Sequence, residues 1–137
     1  MSTVMVTGVG AIMGYGLLKS LRASDPAVVL VGTDIYDDAA GRAWCDAFAQ
    51  APLTASADYP AWLERVVRQH AVDLVIPGIE QDLHWFSDHR EQVAQLGQHG
   101  SALAGRHGLR KADAGVGDRH AVCQRLAFFQ ILPAFVQ

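Results

Sequence analysis

Apolar residues recur along this chain in two rhythms that take turns. Val4 to Val6, Ala27 to Asp34 (AVVLVGTD) and Asp73 to Pro77 (DLVIP) are short, nearly continuous hydrophobic runs, the pattern of strands covered on both faces. Between them the spacing turns helical. Leu17, Leu18 and Leu21 share one side of a helix predicted over about 14–23, with Lys19 and Arg22 toward solvent. Trp62, Val66 and Val67 make the stripe of a second helix, from about Tyr59 to His70 and capped by Asp58, and Leu83, Phe86, Val93 and Leu96 mark a third from about Glu80 to Leu96. A short helical turn from Asp37 to about Trp44 leads to a brief strand between Asp46 and Leu53. Further on, Ser101 to Ala104 reads as a fifth strand and Asp118 as the N-cap of a last helix through about Phe129. Strands that alternate with helices pair in parallel through right-handed crossovers, so the predicted class is α/β, a doubly wound and mostly parallel five-stranded sheet.

The chemistry is expected where the strands end. In Thr3 to Gly16, TVMVTGVGAIMGYG, a β-branched strand runs directly into Gly8, Gly10, Gly14 and Gly16. Such a turn brings backbone N–H groups and the positive end of a helix up to an anion. The dinucleotide fingerprint G-x-G-x-x-G needs glycine at position 13, where Met13 stands, and the spacing here is G-x-G-x-x-x-G-x-G. A tight βα turn that serves packing alone is the competing reading. In parallel sheets the ligand crevice lies beyond the carboxyl ends of the strands, where strand order reverses. Three polar strand ends are predicted to face it: Gly8 to Gly14, Asp34, and Gly78 to Asp82.

Composition narrows the field. At 137 residues, half of them hydrophobic, the chain can bury a core as one domain, and its net charge of −3 with scattered Lys and Arg speaks against nucleic acid as a partner. No apolar run approaches the roughly 20 residues that span a bilayer, and no basic stretch with an apolar signal region precedes the first strand, so no membrane partner and a cytoplasmic location are expected. Cys45 and Cys123 form no C-x-x-C pair and read as reduced thiols.

Several side chains remain ambiguous. Asp34 lies 20 residues beyond Gly14, placed either to hydrogen-bond a ribose or substrate hydroxyl or to cap the turn before Asp37. Glu80 and Asp82 either hold a substrate amine or simply complement a helix dipole. Glu80, His84 and Asp88 share one helix side at metal-ligand spacing, but the same spacing gives ordinary solvated pairs, and no metal site is assigned. No G-x-S-x-G elbow is present and no histidine has a nucleophile partner, so no residue is assigned a catalytic role.

Taken together, VMVTGVGAIMGYGLLKSLR, VGTDIYDDAAGRAWCDAFAQAPLTASADYPAWL, VDLVIPGIEQDL and GDRHAVCQRLAFFQILPAFV resemble the N-terminal, pre-ATP-grasp domain of ATP-grasp ligases related to the carbamoyl-phosphate synthase large subunit. The resemblance implies a Rossmann-like domain over residues 1–130. Residues 131–137 would begin a linker to a missing ATP-grasp domain. It also implies that ATP and magnesium serve a carboxylate–amine ligase of which this chain, inactive by itself and binding no cofactor tightly, is the substrate-side wall. That wall would be Gly8, Gly10, Ala11, Ile12, Met13 and Gly14, with Asp34, Glu80 and Asp82 nearby, holding a small-molecule substrate or anion. The apolar run Ile131 to Val136 would otherwise pack on its own domain or join two copies as a homodimer. The alternative reading, carried by Gly8, Gly10, Gly14 and Asp34, is a free-standing Rossmann-like nucleotide- or NAD(P)-binding module or small reductase.

Overall fold

A computed structural model describes residues 2–96. Within them four strands, β1 (Thr3–Thr7), β2 (Val29–Asp34), β3 (Ala47–Gln50) and β4 (Leu74–Ile76), form one sheet in the order β3-β2-β1-β4. Every pairing is parallel, with Met5 opposite Val31 on one side and Val75 on the other. The chain winds outward from β1 to β2 and β3, then crosses back to β4 on the opposite side of β1. Strand order therefore reverses between β1 and β4. The predicted fifth strand, the last helix, Cys123 and the apolar tail lie outside the described residues.

Helices α1 (Ile12–Ser24), α2 (Tyr59–Gln69) and α3 (Glu80–Asp88) cover the sheet. Because strand side chains alternate between faces, β1 sends Val4 and Val6 one way and Met5 the other. Val4, Val6 and Leu30 pack with Leu18 of α1, whereas Met5 and Val31 pack with Trp62, Leu63, Val66 and Val67 of α2 and Phe86 of α3. Both faces are thus closed, which is why the strands read as unbroken apolar runs. Burying each of these large side chains contributes about 1.5–3 kcal/mol.

Several element ends differ from the sequence pattern, each for a local reason. Helix α1 starts two residues before the predicted Gly14, because Ala11 N–H closes the turn onto the Gly8 carbonyl and Tyr15 N–H already bonds the Ala11 carbonyl. Asp58 stands at the head of α2, but its side chain makes no capping bond; Pro60 in the first turn, which lacks an N–H to satisfy, lessens the need for one. The third helix breaks at His89, whose ring nitrogen bonds the Trp85 carbonyl, before residues 90–96 turn helical again. Leu83, expected on the apolar side, is exposed, and Trp85 packs against the core in its place. The stretch predicted as a helical turn is a 3-10 segment, Ala40–Trp44.

Cys45 follows that segment, its thiol lying where a side chain on Gly32 would otherwise sit and donating to the Gly41 carbonyl at 3.3 Å. Burial, reinforced by the Asp46 carboxylate, pushes the thiol up to about 11 from an ordinary 9.0. The folded state therefore holds its proton where the unfolded state has lost it. This contribution to stability is complete below pH 9 and fades as pH rises from 9 to 11. In urea titrations across that window, wild type is expected to lose more stability than Cys45→Ser, and at neutral pH Cys45 should alkylate more slowly than an unfolded thiol. Equal losses in the two proteins would refute this.

Candidate functional site at the strand carboxyl ends

The first turn of the site is built by Gly8. Its φ of +62° lies in the left-handed region, and a Cβ there would come within 2.5 Å of the Ile79 side chain, so neither conformation nor space admits another residue. Gly14, one turn into α1, lets the helix rest directly on the loop: a Cβ would stand 2.2 Å from the Gly8 carbonyl oxygen. These are the tight-turn and close-packing roles of a nucleotide-binding βα loop. The middle role, bare backbone open to a ligand, does not fall to Gly10.

Gly10 is held by Asp34. One carboxylate oxygen accepts the Gly10 N–H at 2.8 Å and the other accepts the Tyr36 N–H at 3.0 Å. Asp34 is 9% exposed and ties the glycine loop to the end of β2. The turn-capping alternative is thus satisfied in full. Each carboxylate oxygen still has a second acceptor direction, and the residue lines the cavity described below.

The amides left open belong to the start of α1. Its N-cap, Ala11, has no side chain able to cap, so the N–H groups of Ile12, Met13 and Gly14 have no partner within the helix. Ile12 is 89% exposed and Met13 60%. Helix α3 begins in the same way from Ile79, without a side-chain cap, on the other side of the strand-order reversal. Gly78 joins the two: its N–H bonds the Thr7 hydroxyl at 3.3 Å, and a Cβ on it would come within 2.8 Å of the Gly14 Cα.

Between these elements lies a cavity of about 930 Å³. It brings together Gly8, Gly10, Ala11, Asp34 and Asp82 from the predicted set, and adds residues the sequence reading missed: Tyr36, Asp38 and Leu53 from the loops after β2 and β3, Thr54, Tyr59, and Trp85 of α3. Ile12, Met13 and Gly14 are not on its wall. Glu80 also lies apart, exposed and paired with His84 at 3.4 Å, and no group of three metal-ligating side chains occurs among the described residues. Asp82 is buried and accepts the Thr54 hydroxyl, so it does more than complement the helix dipole. Tyr59, 2% exposed, carries a hydroxyl with no hydrogen-bond partner among the described residues. Burial, and then the Asp82 charge, push its phenol far above the ordinary range, so it stays protonated. Nothing in the spacing around Thr54 and Tyr59 marked this wall in the sequence.

A parallel sheet ordered β3-β2-β1-β4, with a glycine turn after β1 and a cavity at the reversal of strand order, defines a Rossmann-like fold. No protein-family model matches the chain, and no curated protein matches its sequence. Among solved structures it is similar to the dTDP-glucose 4,6-dehydratase of Bacillus anthracis in complex with NAD, at 11% identity and a TM-score of 0.50, over 72% of this chain and 34% of that one. It is also similar to the Bordetella bronchiseptica enzyme WbmH in complex with NAD+, at 16% identity and a TM-score of 0.45, over 74% of this chain and 36% of that one. The chain thus spans about a third of the length of either protein.

The first of these matches corrects the resemblance to the ATP-grasp ligases and the carbamoyl-phosphate synthase large subunit. That fold neighbour is a dehydratase in complex with NAD, not a ligase, and ATP and magnesium fall with the ligase reading as the cofactors. The missing ATP-grasp domain rested on that resemblance and on the apolar run Ile131 to Val136, which lies outside the described residues. The segments that carried it are a strand, a glycine turn and a helix, which any Rossmann-like loop requires, so they could not separate one family from another. No helix among the described residues is long and apolar enough to cross a membrane.

Proposed function

We propose that this chain is a Rossmann-like module that binds an adenine dinucleotide of the NAD type. The observation that carries the reading is the Asp34 carboxylate at the end of β2, locked to the glycine loop by the Gly10 N–H and lining the cavity at the strand-order reversal. A cofactor bound here would set its ribose hydroxyls against Asp34 and its phosphates near the uncapped amides of Ile12, Met13 and Gly14. What supports that use is that Gly8, Gly10 and Ala11, which lead into those amides, line the cavity, and that the Asp34 oxygens keep acceptor capacity for hydroxyls. Among the described residues, Asp34 and Asp38 line the cavity without a Lys or Arg beside them on its wall, which disfavours a 2′-phosphate and so selects NAD over NADP.

When bound, the nicotinamide would supply hydride chemistry; this chain's own residues bind and orient. A cytoplasmic setting accords with the reading, and among the described residues Cys45 is a free thiol. Fluorescence titration with NADH and NADPH tests it. NADH should bind saturably and NADPH at least about tenfold more weakly, a difference of about 1.4 kcal/mol. Absence of NADH binding at millimolar cofactor would refute the proposal.

A further inference from the structure

The wall of the cavity at the start of α3 is built differently from the glycine loop. Four carboxylates, Asp34, Asp38, Asp82 and Asp88, line the cavity as a whole, and among the described residues no Lys or Arg does. Asp82 is 5% exposed, and its one hydrogen bond among the described residues comes from the Thr54 hydroxyl. Tyr59, 98% removed from solvent and near enough for the Asp82 charge to act on its phenol, also lines the cavity, and its hydroxyl bonds to nothing among the described residues. Buried polar groups ordinarily find partners; the Tyr59 hydroxyl has none among the described residues, and the Asp82 oxygens keep acceptor directions that Thr54 does not fill.

We propose that Asp82, Tyr59 and Trp85 form a subsite for the primary ammonium group of a small organic ligand. An ammonium has three donors on a compact cation, enough to serve Asp82 and the Tyr59 oxygen together. A guanidinium fits less well, because its planar fork needs two acceptor directions in one plane, whereas a compact ammonium can use any of those that Thr54 leaves on the Asp82 oxygens. Trp85 is half-buried, stacked on His89 and edge-on to Tyr59 at 4.9 Å between ring centroids, and the part of it that lines the cavity supplies an aromatic surface that a cation favours. The subsite stands on residues other than those of the glycine loop, so it can fail while the dinucleotide reading holds, and the reverse.

The test uses the whole chain with n-butylammonium chloride as probe, and n-butanol and sodium chloride as controls. Tryptophan fluorescence and the thermal midpoint are both followed. Butylammonium should change the fluorescence saturably and raise the midpoint, with neither control doing so. Asp82→Asn, which keeps the shape and removes the charge, should weaken the probe at least about tenfold. Tyr59→Phe is the discriminating variant: without probe its midpoint should rise, because a buried hydroxyl without a partner is removed, while its affinity for the probe falls about fivefold or more. Butanol acting as well as butylammonium, a probe response unchanged in Asp82→Asn, or a Tyr59→Phe protein that binds the probe as wild type does would each overturn the assignment.

Discussion

Gly14→Ala should cost about 3 kcal/mol of stability or more in chemical denaturation. The added Cβ would lie 2.2 Å from the Gly8 carbonyl oxygen and 2.9 Å from the Val9 Cα. Both are backbone atoms, and neither can rotate away. Gly8 cannot retreat, since Ile79 is packed against it, and α1 cannot lift without withdrawing Leu18 from the core. Gly16 is the internal control. It lies in the same helix, and a methyl group added there would meet nothing within 4 Å, so Gly16→Ala should stabilise by about 0.5–1 kcal/mol through the ordinary helix preference for alanine. Two Gly→Ala changes two residues apart should thus have opposite signs. A Gly14→Ala protein as stable as wild type would mean that the helix does not sit on the loop as described.

Asp34→Asn should strike stability and binding together. The carboxylate accepts from Gly10 and Tyr36 through different oxygens, whereas an asparagine has one acceptor oxygen and turns an N–H₂ toward the other donor. One buried N–H is left without a partner, at a cost of about 1–3 kcal/mol. In the protein that still folds, NADH affinity is expected to fall about tenfold or more as charge-assisted bonds to the ribose are lost. NADPH should be affected far less, because the repulsion of its 2′-phosphate disappears with the charge, and the ratio of the two affinities should move toward one. Urea denaturation and paired fluorescence titrations read the two effects separately. Unchanged NADH affinity in folded Asp34→Asn would leave Asp34 as a loop anchor alone.

Parts of this arrangement are legible in the sequence alone. The apolar runs mark the strands because both sheet faces are covered, and the period of Trp62, Val66 and Val67 marks α2 because one face of it is buried. Asp34 is legible as a candidate from its place at a strand end, though not its partners. Tyr59 and Thr54 are not. Tyr59 sits on the apolar side of α2 and differs from a phenylalanine there only by a hydroxyl without a partner among the described residues, which no periodicity can register. Leu83 misleads for the converse reason: its spacing suits a long helix, and the break at His89 changes which side of α3 meets the core.

What the chain determines by itself is therefore its class and its loop: alternating strands and helices force a parallel sheet, and Gly8 and Gly14 stand where a turn and a close approach admit nothing larger. The tertiary structure decided the rest. Only the crossing from β3 back to the far side of β1 placed the starts of α1 and α3 on either flank of one cavity, and only that crossing brought Asp34, Asp82 and Tyr59 from separate elements to a common wall. Local sequence encodes local conformation, whereas which strand ends share a cavity depends on strand order, a property of the whole sheet that no short segment carries.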